Sequence, residues 1–287
     1  YAKHSPVLQA SISTTQTKKG IIMLRLAIAG CPGRMGQALV QAALTSKDVK
    51  LSAATVSPNS QLVHLDVGVI AKCEPLGIKP VDDLQSVIDN FDVLIDFTTP
   101  TATLAHLTLC QKFGKKIVIG TTGFNAQQKA MIQEMSQQMA IVFAPNTSVG
   151  VNLCYELLKI AASVLKDEAD IEIVETHHRN KVDAPSGTAL QMGETICSVL
   201  DRNLEDVALY GRSGITGKRE HKTIGFSSIR AGDVVGDHTV IFALDKERVE
   251  ITHKATNRGT FAHGAIRAAK WLSAAPAGLY SMADVLF

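Results

Sequence analysis

The chain's first regular pattern is Leu24-Arg-Leu-Ala-Ile-Ala29, an apolar run that gives way to glycines and then to a helical apolar period over Met35–Leu44. That alternation repeats. Short apolar runs at Lys50–Val56, Val93–Phe97, Ile117–Ile119 and Ala140–Phe143 predict strands, and Val81–Asp89, Thr101–Phe113 and Ala126–Gln138 predict helices between them. Val93-Leu-Ile95 carries no polar alternation, as expected of a strand buried on both faces. Strands alternating with helices predict a parallel sheet covered on both sides. Residues 57–80, with Pro58, Gly68 and Pro75, read as an irregular connection.

The pattern changes after Pro145-Asn-Thr-Ser-Val-Gly150. A long helix is predicted over Val151–Leu165, an alternating strand from Ile171, a helix over Thr188–Leu200 and a polar, Gly-rich segment over Tyr210–Lys222. Thr223–Arg230, Val234–Ala243 and Arg248–Ala255 then read as strands with no helix between them, which predicts antiparallel or mixed pairing and a separate domain. The Ala-rich helix Thr260–Leu272 is suited to return to the first domain. The fold class expected is α/β: a Rossmann-like doubly wound parallel sheet plus a second α+β domain with a mixed sheet.

Two stretches carry candidate chemistry. Gly30-Cys-Pro-Gly33-Arg-Met-Gly36 follows the first strand and opens the first helix, a variant of the dinucleotide fingerprint in its required strand–turn–helix context. Gly30 suits the tight turn, Gly33 a close backbone approach to a pyrophosphate, and Gly36 close helix–strand packing. Gly120-Thr121-Thr122-Gly123, Asp96-Phe-Thr-Thr-Pro100 and Ala144-Pro145-Asn146-Thr147 end three further strands on the same sheet edge, where a cofactor crevice is expected. Thr122 or Asn125 could instead simply cap the next helix.

The second stretch is Glu175-Thr-His-His-Arg-Asn-Lys-Val-Asp-Ala-Pro-Ser-Gly-Thr-Ala189, on the loop between a strand and a helix. His177 can move a proton near neutral pH, and Lys181 supplies a fixed charge or a second proton. Gly187 and Thr188 would present backbone N–H groups to an anion at a helix start, with Ser186 as cap. Glu175 either orients this cluster or is a solvent-facing strand residue. His106 and His253 read as packed histidines. Arg230 and Arg258 could reach a substrate carboxylate or form surface ion pairs.

Composition narrows the field. Hydrophobic residues make up 46% of 287, enough for a large core in two domains. A net charge of +2 and 5% aromatic residues argue against nucleic acid and against a membrane surface. The five cysteines are scattered singly, without metal or redox spacing, which fits a reducing cytoplasm and no metal. Cys31 reads as a small residue filling the glycine turn. No apolar stretch is long enough to span a bilayer. Residues 1–22, polar and ahead of Met23, read as a vector-derived or upstream extension without packed structure.

The carboxylate that would bind an adenine ribose about 20 residues after the glycines is missing. The chain reads Val56-Ser57-Pro58 there, so a 2′-phosphate is not repelled and Arg34 could pair with it.

Taken in order, Gly30-x-x-Gly-Arg-Met-Gly36, Asp96-Phe-Thr98, Gly120-Thr-Thr-Gly-Phe124, Asn146-Thr-Ser-Val-Gly-Val-Asn152 and Glu175-x-His-His-x-x-Lys181-x-Asp-Ala-Pro-Ser-Gly-Thr-Ala189 resemble the 4-hydroxy-tetrahydrodipicolinate (dihydrodipicolinate) reductase family from about Met23 onward. The resemblance implies an NADH- or NADPH-dependent oxidoreductase of lysine and diaminopimelate biosynthesis. It would be a cytoplasmic homotetramer acting on a small dicarboxylate. It implies His177 as proton donor/acceptor, Lys181 as second proton-handling group, and His178, Gly187 and Thr188 as substrate ligands. Cofactor contacts would be Gly30, Cys31, Pro32, Gly33, Arg34, Met35, Gly120, Thr121, Thr122, Ala144, Pro145, Asn146 and Thr147. Residues 23–148 would then be the dinucleotide-binding domain, 149–257 the substrate and oligomerisation domain, and 258–287 a helical return. Val56-Ser57 replaces the family's acidic–basic pair, and Thr99 stands where an arginine can occur. Use of both cofactors is expected, with NADPH favoured. The competing readings are another nicotinamide-dependent reductase of a small imine or ketone, and a sensor without turnover.

Overall fold

A computed structural model describes residues 23–287; the reading of residues 1–22 lies outside the described residues. The front of the chain runs β1 (Leu24–Ala29), α1 (Arg34–Thr45), β2 (Val49–Ala54), α2 (Val67–Ile70), β3 (Val93–Asp96), α3 (Pro100–Lys112), β4 (Lys116–Ile119), α4 (Ala126–Met135) and β5 (Ala140–Phe143). α5 (Val149–Leu165) then leads into β6 (Asp170–His177), α6 (Gly187–Leu200), α7 (Leu204–Val207), β7 (Ala208–Tyr210), β8 (Ile224–Arg230), β9 (Gly236–Ala243) and β10 (Arg248–Ala255). The chain ends in α8 (Gly259–Ala274), β11 (Gly278–Tyr280) and α9 (Met282–Leu286).

The first sheet has the order β11-β5-β4-β3-β1-β2, all parallel. Successive residues of its strands serve opposite layers. Leu26, Ile28, Val93, Ile95, Val118 and Val142 pack with Leu39 and Val40 of α1 and the alanines of α8. Ala27, Leu94, Ile117, Ile119 and Ile141 pack with Leu107 of α3 and Ile132 of α4. Each fully buried aliphatic side chain contributes about 1.5–3 kcal/mol, so the absence of polar alternation is what holds this sheet between two helix layers.

α8 returns to this sheet because its face is small. A Cβ on Gly264 would stand 1.7 Å from the Thr147 carbonyl oxygen. At the other end, Lys116 Nζ donates to the carbonyls of Leu272, Ser273 and Ala275 at 3.0, 2.8 and 2.8 Å. They belong to the end of α8, where a helix runs short of N–H partners; the Leu272 carbonyl also accepts from the Ala275 N–H.

The second sheet, β10-β9-β6-β8-β7, is mixed: β6 pairs parallel with β8 and antiparallel with β9, and β9 antiparallel with β10. α5 and α6 cover one face through Leu158, Met192 and Ile196, against Ile171, Ile173, Val240 and Phe242.

The sequence expectation differs from the structure at short elements. The helix expected over Val81–Asp89 is a kinked 3-10 segment, Leu84–Asn90, interrupted at Val87. Val81 is extended instead, bonded to the backbone of Ala54 and Val56. The irregular 57–80 connection is gathered by one carboxylate: Asp66 accepts from the N–H groups of Gly68, Leu76 and Ile78 at 2.7, 2.8 and 3.1 Å. β7, β11, α7 and α9 are too short to show a period and were not expected.

Candidate active site

The alternation of β6 carries directly into the site. Ile171, Ile173, Glu175 and His177 all point to the helix-covered face and are buried. The first two join the core; the last two, beyond the apolar cover, meet polar partners. Glu175, left open by the sequence, is 1% exposed and not solvent-facing. The parallel register places Ser228 and Arg230 of β8 beside Glu175 and His177. The antiparallel register places His238 of β9 opposite Glu175.

A connected set of side chains results. His177 Nδ1 lies 2.5 Å from Glu175 Oε2. Arg230 donates to both oxygens of Glu175, at 2.9 and 2.7 Å. Burial works to raise the Glu175 carboxyl, but the bonds from Arg230, Ser228 and His177 hold it at about 2. Burial lowers the His177 imidazole below its ordinary value, with Glu175 opposing. His238, 4% exposed, stacks edge-on against His177 with ring centroids 5.1 Å apart. Burial, then the neighbouring His177, depress it to about 4. Arg230, a candidate for the substrate carboxylate, is therefore committed to Glu175. The pairing of Arg230 with β6 and the seating of His238 were not read from the sequence. The signal was present in the latter case: Gly236, His238, Val240 and Phe242 alternate, which puts His238 on the apolar face.

α6 begins at Gly187, and Ser186 caps it by accepting from the Ala189 N–H at 3.2 Å, as expected. A Cβ on Gly187 would meet nothing within 4 Å, so the helix start is open. Thr188 Oγ1 accepts from Asn146 Nδ2 at 3.1 Å, a bond that joins the β5 loop to α6. Tyr155 lines the same cleft as Thr188, and burial keeps its hydroxyl protonated. His177, Lys181, Gly187 and Thr188 line one cleft of about 1040 Å³ with Thr122, Ala144, Pro145 and Asn146 from the first sheet. Lys181 is held by both oxygens of Asp183 at 2.8 and 2.9 Å. His178 is half-buried and does not line the cleft; its Nδ1 is buried without a partner.

The glycine turn lies farther along the first sheet's edge, outside this cleft. Gly30 has φ +66°, which only glycine adopts readily. A Cβ on Gly36 would lie 2.3 Å from the Gly30 carbonyl oxygen, so α1 rests on the turn itself. α1 is capped by Gly33 without a side-chain bond, unlike α3, α4, α5 and α6, which Thr99, Asn125, Ser148 and Ser186 cap. Its first N–H groups are thus left for an anion, which fits a dinucleotide pyrophosphate. Arg34 is exposed at this start, and its charge reaches Arg258 at the start of α8, whose pKa burial and Arg34 both lower. Met35 and Pro32 are half-exposed beside it. Cys31 is fully buried, and burial pushes its thiol up to about 11, which leaves it inert.

Not every small residue on the edge faces the crevice. A Cβ on Gly120 would strike the Phe97 ring at 2.1 Å, so packing alone already requires a glycine there. Thr121 and Thr147 are buried, Thr121 beside Asp96 and Thr103, and Thr147 donating to the Phe261 carbonyl at 2.6 Å. Asp96 is fully buried and pairs with His106 Nδ1 at 2.7 Å. His106 is therefore packed, as expected, but with a specific partner. His253 is packed beside Gly150.

Two family models match the chain: "Dihydrodipicolinate reductase, N-terminus" over residues 24–147 and "Dihydrodipicolinate reductase, C-terminus" over residues 150–286. A 4-hydroxy-tetrahydrodipicolinate reductase of Methylococcus capsulatus is 57% identical over 265 residues, 92% of this chain and 98% of its own. One of Hahella chejuensis is 55% identical over 264 residues, 92% of this chain and 99% of its own. A dipicolinate-bound dihydrodipicolinate reductase from Paenisporosarcina sp. TG-14 superimposes with a TM-score of 0.69 at 26% identity, over 90% of this chain and 97% of its own. An amine dehydrogenase from Mycobacterium smegmatis shares the fold with a TM-score of 0.57 at 12% identity, over 90% of this chain and 95% of its own.

Proposed function

The chain belongs to the dihydrodipicolinate reductase family, and from that premise we propose that it reduces 4-hydroxy-tetrahydrodipicolinate to tetrahydrodipicolinate, with His177 and Lys181 handling the proton. The observation that carries the reading is the single cleft that faces His177, Lys181 and the open start of α6 toward the β4 and β5 loops of the nucleotide-binding sheet.

Bound NAD(P)H would supply a hydride to one carbon of the conjugated imine. The chain's own residues supply the rest. The N–H groups at Gly187 and Thr188, with the Thr188 hydroxyl and the Lys181 charge, seat one substrate carboxylate. His178, whose buried Nδ1 has no partner, is available to the same dianion once its ring turns toward the cleft. Negative charge left on the substrate after hydride addition is quenched by a proton from His177 Nε2 or Lys181. Burial favours neutral His177 in the free protein; a bound dianion shifts it toward the protonated, donating form.

Arg34 supports the use of NADPH beside NADH, since no carboxylate follows β2 to select against a 2′-phosphate. The outer face of the second sheet carries Val174, Ile229 and Ile241 between threonines, opposite the helix-covered side. This supports assembly of copies through that face; that there are four of them is what the family resemblance implies. All five cysteines are unpaired, which supports a reducing, cytoplasmic location. No helix among the described residues is long and apolar enough to cross a membrane.

The test is oxidation of NADPH and NADH with freshly generated 4-hydroxy-tetrahydrodipicolinate, against a panel of small imines and ketones. Preferential turnover of the former is expected. Equal or faster reduction of a panel member would overturn the substrate assignment, and cofactor binding without any turnover would point to a sensor.

A further inference from the structure

Glu175 touches neither the cleft nor any step described above, yet it is among the most deeply buried charges of the chain. We propose that Glu175, neutralised by Arg230, is a positioning residue that sets both halves of the catalytic site at once: the His177 ring through one oxygen and the start of α6 through the other. The inference rests on the proposed role of His177 as the proton-handling group.

The geometry is specific. A carboxylate only accepts, so at 2.5 Å the proton between Oε2 and the imidazole belongs on Nδ1. The reverse tautomer would bring two lone pairs together at that distance. Nε2 is then the ring atom left to take or give a proton, and Gly236 leaves room for it: a Cβ there would stand 2.9 Å from Nε2. His238 packs edge-on against the His177 ring and limits its rotation.

The other oxygen, Oε1, accepts from the Ser186 N–H at 3.3 Å. Ser186 caps α6, and its Oγ also meets His238 Nε2 at 3.0 Å. The helix start that would seat the substrate carboxylate is therefore indexed to the carboxylate that orients the ring. Arg230 extends the tie to the loop between them, donating to the Asp183 carbonyl at 2.7 Å. A buried ion pair contributes little net stability compared with apolar side chains of the same size. Its value here lies in holding directional groups in register.

Two measurements test this. In wild-type protein labelled with ¹⁵N-histidine, the ring nitrogen shifts of His177, assigned by their loss in His177→Asn, report its tautomer at neutral pH. The Nδ1–H form is expected, and the Nε2–H form would overturn the proposal whatever the variants do. In Glu175→Gln, an amide that can donate to Nδ1 replaces an acceptor. Turnover should fall on the order of tenfold to a thousandfold, with KM changed much less, and Glu175→Asp should recover part of it. The pH limb that tracks His177 should move to lower pH, because a charge that favours imidazolium is gone. An unchanged kcat and pH profile in folded Glu175→Gln overturns the proposal; if that variant does not fold, the tautomer in the wild type decides. An inactive wild type would sink the reductase reading instead, and the tautomer result would stand apart from it.

Discussion

The two edges that meet at the cleft are built from different materials. On the first sheet, the expected cofactor side is made of backbone: Gly30 at positive φ, Gly36 pressed on the turn, and an α1 start without a side-chain cap. On the second sheet, the side proposed to handle the proton is made of side chains from β6, β8 and β9 and the capped start of α6, tied together around the buried Glu175 carboxylate. A pyrophosphate needs many N–H groups and little discrimination, which a glycine turn provides. A proton transfer needs one ring in one orientation, and that takes a supporting shell.

This contrast makes the two edges fail differently. The largest effect is expected from His177→Ala, which should lower kcat by roughly 10²- to 10⁴-fold while the affinity for reduced cofactor, measured by fluorescence titration, stays the same. A matching loss of cofactor affinity would mean that the two edges are not separable.

The side-chain edge should also be the acid-sensitive one. His238 is held at about 4 in the folded chain and would titrate near 6.5 when unfolded, so the unfolded state binds more protons between those values. Stability is full above about 6.5 and is lost as pH falls toward 4, on the order of 3 kcal/mol from this residue. The lowered pKa values of His177 and His253 act in the same direction. Glu175, held near 2, adds a further loss as pH falls below its unfolded value of 4.5. Melting temperatures measured from pH 7 to 4 should fall for the wild type and be flatter for His238→Gln. A flat wild-type curve would falsify this account.

On the backbone edge, Gly36→Ala should act through shape. Its Cβ would meet main-chain atoms at 2.3–2.8 Å, which cannot swing away. A loss of about 1–3 kcal/mol is expected, seen as a lower melting temperature together with weaker binding of both cofactors. His177's pH profile should be unmoved.

The smallest effect sharpens the comparison within the cofactor edge. Arg34→Ala should weaken NADPH more than NADH, by about 1.5–3 kcal/mol if Arg34 makes a charged bond to the 2′-phosphate. Ser57→Asp should turn the preference toward NADH. Equal losses for both cofactors in Arg34→Ala would assign that residue to the shared pyrophosphate or to neither, with Arg258 beside it as the next candidate.

What the chain's linear order determined was whatever is local. Unbroken apolar runs separated by helical periods dictate a parallel sheet between helix layers, and Gly30–Gly36 and His177–Thr188 each specify a turn whose chemistry sits within a dozen residues. What only the tertiary structure decided is partnership across strands. Arg230 and His238 stand 55 and 61 positions from Glu175 and His177. They join them because β6 lies between β8 and β9 in one particular register. At Gly120 the Phe97 ring fills the space a side chain would need, a contact that the sequence alone does not show. Alternation tells which face a residue takes, but the neighbour it meets there depends on strand order and register, which long-range packing sets.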